Sequence, residues 1–223
     1  MREKREQIFE LLQHKSGLKQ AIYRHTLAQF ESLKGKLEQI EADLGGRMAT
    51  VNPNVEVKYN NRSLFECELK FSGDMLVFNM HSNVFSFDHK HFIHQTPYVQ
   101  ESPNRAFCGK IDIYNFLADS YKYNRLNDIG HLIGRIFINH ENHFFVEGKK
   151  QLGFLYGDFA NQVLDDSKIC EIIETAILHA LDFDLIVPPI EMVQEISLAQ
   201  KLFENGNAGI TTGKKLGFSN GKS

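Results

Sequence analysis

At 223 residues the chain is long enough to bury roughly 70% of its unfolded surface without help from a disulfide or a metal. Its apolar fraction of 42% and charged fraction of 24% are those of ordinary globular proteins and exclude wholesale disorder. The net charge of −3 excludes a global positive field that would attract nucleic acid or an anionic membrane, so a nucleic-acid partner is not expected.

The compartment follows from hydropathy and cysteine usage. No run approaches the roughly 20 apolar residues that a membrane span needs, and the N-terminal sequence is charged rather than apolar. Cys67, Cys108 and Cys170 are widely separated and form no Cys-x-x-Cys pair, which indicates reduced thiols. We therefore expect a cytoplasmic protein without a membrane association.

Residues 1–46 have the apolar spacing of a long helix. From Phe30 to Leu44 the apolar residues follow one another at steps of three and four, which is the spacing of a heptad seam. Gly45-Gly46 predicts the end of the helix, and Ser16-Gly17 predicts a kink or a division into two helices. The seam packs either on the protein's own sheet or on a second copy, and each arrangement can hold for a different part of the helix.

From Val55 to Tyr156 apolar and polar residues alternate, which is the pattern of β-strands. The alternation predicts strands at 55–59, 65–71, 76–81, 84–87, 107–116, 129–138, 143–147 and 151–156. Short turns separate most of these segments, so we expect an antiparallel meander of about six or seven strands. Residues 94–105, which contain Pro97 and Pro103, are expected to form a loop.

Two C-terminal helices are expected to pack on one face of this sheet. Ser167 predicts the N-cap of the first, and Pro188-Pro189 separates it from a second helix at Ile190–Phe203. The fold class is therefore α+β. It consists of a helical segment at 1–46, an antiparallel α+β domain at 55–204 and a flexible basic tail at 205–223.

A polar aromatic segment between strands is the first candidate for a binding site. Tyr114, Tyr121, Tyr123 and Arg125 supply flat contact area and hydrogen-bonding groups, which are typical of recognition surfaces. An ordinary surface loop is the alternative.

Histidines provide the second candidate site. On a strand, His89 and His91 would project from the same face and could chelate Zn²⁺ if a carboxylate or a third histidine completed the shell. Lys90 between them disfavours a dication, and exposed histidines at a strand end are the alternative. Glu68-x-Lys70 has the spacing of a metal-dependent nuclease half-site, but it also fits a solvent face with cross-strand ion pairs.

The sequence contains no recognised catalytic motif, so a non-enzyme is favoured and no cofactor is expected. The function that fits best is a soluble interaction or scaffold protein that binds a protein partner or forms a homodimer through the N-terminal helix. The alternative is a small-molecule-binding protein or a metal-dependent hydrolase with a pocket between the sheet and the helices.

Overall fold

The computed structural model describes residues 2–199 and residue 201. A continuous helical segment comes first: α1 (Arg2–Leu11), α2 (Gly17–Ile40) and α3 (Gly46–Val51), joined by π-helical turns at Leu12–Ser16 and Glu41–Gly45. The long N-terminal helix is thus confirmed, and a π-helical turn stands where the division at Ser16-Gly17 was expected.

The expected end of this helix at Gly45-Gly46 is wrong. Both glycines keep right-handed helical dihedral angles, with φ near −60°. The helix ends instead at Asn52, whose backbone is extended, with φ −153° and ψ 93°. Pro53 follows directly, and a residue that precedes proline is driven out of the helical region by the proline ring.

Six strands follow: β1 (Val57–Ser63), β2 (Glu66–Phe71), β3 (Asp74–Phe85), β4 (Cys108–Leu117), β5 (His131–Ile138) and β6 (Phe144–Gly148). They lie side by side in chain order, and every neighbouring pair is antiparallel. The predicted meander is therefore confirmed.

Two expectations for individual strands are wrong. Residues 76–81 and 84–87 do not form separate strands, because β3 continues to Phe85 with a shift of register against β4. Residues 151–156 do not form a seventh strand; α6 (Gln151–Leu155) occupies this position. The chain folds back so closely here that a Cβ on Gly148 would lie 2.7 Å from the Cβ of Leu152, which is fully buried.

The connection between β3 and β4 is more ordered than the expected loop. It contains α4 (Pro97–Glu101), and 3₁₀ turns lie on either side at Phe92–Gln95 and Pro103–Ala106. Thr96 caps α4 by accepting a hydrogen bond from the Val99 N–H. Apolar side chains of this 86–106 segment pack with Phe137 and Phe145 over one end of the sheet.

The main core lies between the sheet and two helices, α2 and α7 (Asp166–Leu181). Leu33 and Leu37 of α2 and Ile172 of α7 are at most 1% exposed and pack against side chains from the strands. Part of the heptad seam therefore packs inside the protein. The N-cap of α7 is Asp165, whose carboxylate accepts from the Lys168 N–H, and not the expected Ser167.

The chain after α7 is more exposed. α8 (Ile190–Val193) is one short helix, and its Ile190 and Met192 side chains are 70% and 74% exposed. The single helix expected at 190–203 is wrong, because the helix ends at Val193 and residues 194–197 are not helical. Residue 200 and residues 202–203 lie outside the described part of the chain. The tail predicted at 205–223 also lies outside it.

Candidate functional site

One face of the sheet packs on α2 and α7, so side chains at alternate positions project from the opposite face. The part of this opposite face that the 86–106 segment does not cover is called the open face here. Its polar residues are Lys58, Asn60, Glu66, Glu68, Lys70, Asn79, Asp112 and Tyr114.

Strand register aligns polar side chains into a row across this side of the sheet. Glu66 pairs with Asn79, Asn79 with Asp112, Asp112 with Arg135, and Arg135 with Glu147. Asp112 is only 5% exposed; its Oδ2 lies 2.8 Å from the Lys110 ammonium, while its Oδ1 has no hydrogen-bond partner. The alternating charges were visible in the sequence, but the register that aligns them was not.

His89 and His91 do not lie on a strand, which is the position in which they would share one face. β3 ends at Phe85, and both histidines lie in the turn that follows. His91 Nε2 is 3.0 Å from Glu147 Oε1, and the His91 ring stacks on Phe87 with a centroid separation of 4.6 Å. Within residues 2–199 and 201, no three His, Cys, Asp or Glu side chains form a group that could hold a metal ion.

The predicted recognition segment divides into two groups. The Phe116 ring lies between Tyr114 and Tyr121, at centroid distances of 6.4 and 5.5 Å. Tyr123 instead contacts the Arg125 guanidinium, which lies 5.2 Å from its ring centroid. The four predicted residues therefore do not converge on one point.

The Arg125 side chain is mostly buried and contributes to the structure of a turn. It is 10% exposed and lies 4.0 Å from the Asp128 carboxylate, which also accepts a 2.8 Å hydrogen bond from the Ser120 hydroxyl. These contacts hold the turn after α5 (Ala118–Lys122). Tyr121, which is 40% exposed on α5, is better placed to meet a ligand.

A cavity of about 440 Å³ opens on the open face beside α5, and we refer to it as the α5 cavity. Tyr121 and Lys122 of α5 line it together with Lys58, Arg62 and Lys70 of the strands. Sequence reasoning identified Tyr121, and it considered Lys70 only as part of a nuclease-like spacing. It missed that Lys58, Arg62 and Lys70 meet, because only the β1–β2 register brings them to one place.

Glu68 lies on the same face, between Asn60 of β1 and Val77 of β3, and is fully buried. Its Oε2 accepts a 2.7 Å hydrogen bond from Arg62 Nε, and its Oε1 has no partner. Burial raises the pKa of Tyr121 to about 12, and the nearby Glu68 carboxylate adds to the shift. The fold thus fixes a buried carboxylate behind a half-exposed arginine.

The space between the sheet and its helices is filled by large side chains. Phe30, Phe78 and Phe144 are each 0% exposed in that core. A pocket at this location, which the alternative function requires, would have to displace them.

The start of the N-terminal helix extends beyond the fold. Every residue from Glu3 to Gly17 is exposed, and Ile22 is the first fully buried side chain. Residues 3–16 are called the helical arm here. Its four large apolar side chains are 56–59% exposed: Ile8, Phe9, Leu11 and Leu12.

Comparison with protein families, curated proteins and solved structures finds no match to this chain. Within the described residues, no helix has both the length and the apolar character needed to cross a membrane. The function is therefore inferred from the molecule's own surfaces.

Proposed function

We propose that this chain is a non-enzymatic interaction protein that forms a homodimer through its helical arm. The observation that carries the proposal is the exposure of Ile8, Phe9, Leu11 and Leu12, all at least 56% exposed on one short stretch of helix. Ile8, Leu11 and Leu12 occupy positions i, i+3 and i+4, so they lie on one side of the helix. Such a side is normally covered by another element.

The partner that best fits the apolar side of the arm is the same arm of a second copy of the chain. The arm continues the helix that packs on the sheet at Leu33 and Leu37, but none of its own residues is buried. Two arms related by a twofold axis would cover the same apolar residues on each other, and twofold pairing is the commonest form of self-association. The arm carries as many acidic side chains as lysines and arginines, so it has no single-sign charge that would prevent pairing: Glu3, Glu6 and Glu10 against Lys4, Arg5 and Lys15.

The test is the oligomeric state as a function of concentration, measured by size-exclusion chromatography with light scattering. The wild-type chain is expected to shift from monomer towards dimer as its concentration rises. The double variant Ile8→Glu, Leu12→Glu should remain monomeric with an unchanged circular dichroism spectrum. Leu126→Glu is the matched control, because Leu126 is 84% exposed but lies far from the arm in sequence.

Two outcomes would overturn the proposal. One is a wild-type chain that stays monomeric at the highest attainable concentration. The other is a double variant that dimerises as strongly as the wild-type chain.

We also infer a cytoplasmic location. Cys67, Cys108 and Cys170 are all free, and the first two are buried. Unpaired thiols persist in reducing compartments, which supports this location. Cell fractionation should recover the chain in the soluble cytoplasmic fraction; recovery in a membrane or secreted fraction would refute the inference.

A further inference from the structure

The α5 cavity combines positive charge with a fixed arginine. Four cationic side chains line it, Lys58, Arg62, Lys70 and Lys122, against two carboxylates, Glu56 and Asp119. Among the lining residues, positive charge therefore exceeds negative charge, and two further carboxylates, Glu66 and the buried Glu68, act on Tyr121 from beside the cavity. This local excess contrasts with the net charge of −3 for the whole chain.

Two of the four cations are neutralised by carboxylates of the fold. The Lys70 ammonium lies 2.5 Å from Glu56 Oε2, and Arg62 Nε lies 2.7 Å from Glu68 Oε2. Lys58 and Lys122 form no salt bridge within the described residues, although the Lys122 ammonium hydrogen-bonds to Tyr123 and lies 5.0 Å from its ring centroid. A bound anion would therefore pair with these two ammonium groups.

The contact between Arg62 and Glu68 orients the guanidinium. Glu68 engages only Nε of Arg62, so the terminal amino groups make no hydrogen bond within the described residues. The Arg62 side chain is 50% exposed, while the Glu68 side chain is 1% exposed. A rigid buried carboxylate thus holds the arginine from behind. The planar fork of a guanidinium matches the two oxygens of a carboxylate or a phosphate.

We propose that the α5 cavity binds a small organic anion through its carboxylate or phosphate group. Arg62 contacts two oxygens of that group, and Lys58 and Lys122 balance its charge. The Asn60 side chain, which also lines the cavity, supplies a further hydrogen-bond donor. The volume of about 440 Å³ is that of a small-molecule site. This site is independent of the helical arm.

The test is a titration of the ¹⁵N-labelled chain by NMR, with the Arg62 side-chain Nε–H signal as the reporter. Inorganic phosphate and acetate are the two probes, and sodium chloride at matched ionic strength is the reference. The Arg62 signal and the Lys58 and Lys122 amide signals should shift saturably with at least one probe. Stronger binding of phosphate would identify a phosphate ligand, and stronger binding of acetate a carboxylate ligand.

Substitutions locate the binding. Lys58→Gln and Lys122→Gln should each weaken binding by roughly twofold to fivefold, the usual effect of one exposed ion pair. Arg62→Lys keeps the charge but loses the fork, and a larger loss of affinity is expected. Because Arg62 also pairs with Glu68, Lys58→Gln is the variant that tests the site without disturbing a buried group. Lys149→Gln, an equal charge change on the exposed turn after β6, should have no effect.

The proposal is overturned if neither probe produces saturable shifts beyond those of sodium chloride. It is also overturned if binding persists unchanged in the Lys58→Gln and Lys122→Gln variants, because the anion would then bind elsewhere. Either failure would leave the dimer proposal untouched, since that proposal concerns residues 3–16 and is tested by molecular mass.

Discussion

Gly109 of β4 lies directly beneath α2, and an alanine at this position should force the helix and the sheet apart. A Cβ added to Gly109 would lie 1.9 Å from Thr26 Oγ1 and 2.7 Å from Thr26 Cβ, and real Cβ atoms essentially never approach closer than 3.0 Å. Thr26 has no free space for adjustment, because it is fully buried and its hydroxyl donates to the Ile22 carbonyl at 2.8 Å.

The clash should reduce stability as an extra methyl group does in a tightly packed core. Gly109→Ala should lower the free energy of unfolding by about 1–3 kcal/mol. Gly109 does not have a positive φ, so backbone strain adds nothing to this value. Thr26→Ala alone should cost about 1–2 kcal/mol through the lost hydrogen bond and methyl group. The double variant should be more stable than the sum of the two losses implies, by about 0.5–3 kcal/mol, because part of the clash is removed.

Urea unfolding followed by far-ultraviolet circular dichroism measures these differences, provided that the slope with denaturant is unchanged. Gly35→Ala in α2 is the matched control. A Cβ at Gly35 meets nothing within 4 Å, so this substitution should stabilise the chain by about 1 kcal/mol through helix propensity. The close approach of α2 to β4 is refuted if Gly109→Ala is as stable as the wild-type chain, or if the two losses are additive.

Three further predictions concern the core, a thiol and an acid. Leu33, which is 1% exposed, packs in the core, so Leu33→Ala should lower the free energy of unfolding by about 2–5 kcal/mol. Leu12→Ala on the helical arm should change this free energy by less than about 0.5 kcal/mol. Equal losses for the two variants in urea unfolding would contradict the packing of the seam inside the protein. Cys170, the one thiol of three that is not buried, should be alkylated first in the native chain, as peptide mass mapping would show; earlier labelling of either other thiol would count against the fold. The Tyr98 hydroxyl, which donates a 2.7 Å hydrogen bond to Glu141, lowers the pKa of this carboxyl below 4.5, so its stabilising effect is present at neutral pH and lost as the pH falls through that lowered pKa. Unfolding measured against pH should show the stability gap between wild type and Glu141→Gln closing in acid, and a gap that stays constant would exclude this linkage.

The helices and strands of this fold were predictable from the sequence where one face of the element is buried and the other is exposed, because apolar and polar residues then alternate with a clear period. In α2, Phe30, Leu33 and Leu37 have the helical spacing because they all meet the same sheet. Residues 151–155 were misread as a strand because a short apolar run has no decisive period. In the structure they form α6, whose Leu152 packs closely against Gly148, a contact that depends on the three-dimensional path of the chain.

The candidate site was much less predictable, because it depends on register and on where strands end. Tyr121 was identified from its residue type alone. The β1–β2 alignment pairs Lys58 with Lys70 and Asn60 with Glu68, and an irregularity between Asn61 and Ser63 contains Arg62, so these basic residues line one cavity. The metal site considered at His89 and His91 required both residues to lie on a strand, whereas β3 ends at Phe85.

The long N-terminal helix has a buried apolar part and an exposed apolar part, because the sheet covers only part of its length. The sheet covers α2 at Leu33 and Leu37, while Ile8 and Leu12 lie on the uncovered arm. Removal of residues 2–16 should therefore leave the free energy of unfolding nearly unchanged and abolish self-association, because no buried side chain is lost. If that truncation instead unfolds the chain, the arm contributes to the monomer's own core and the dimer proposal loses its physical basis.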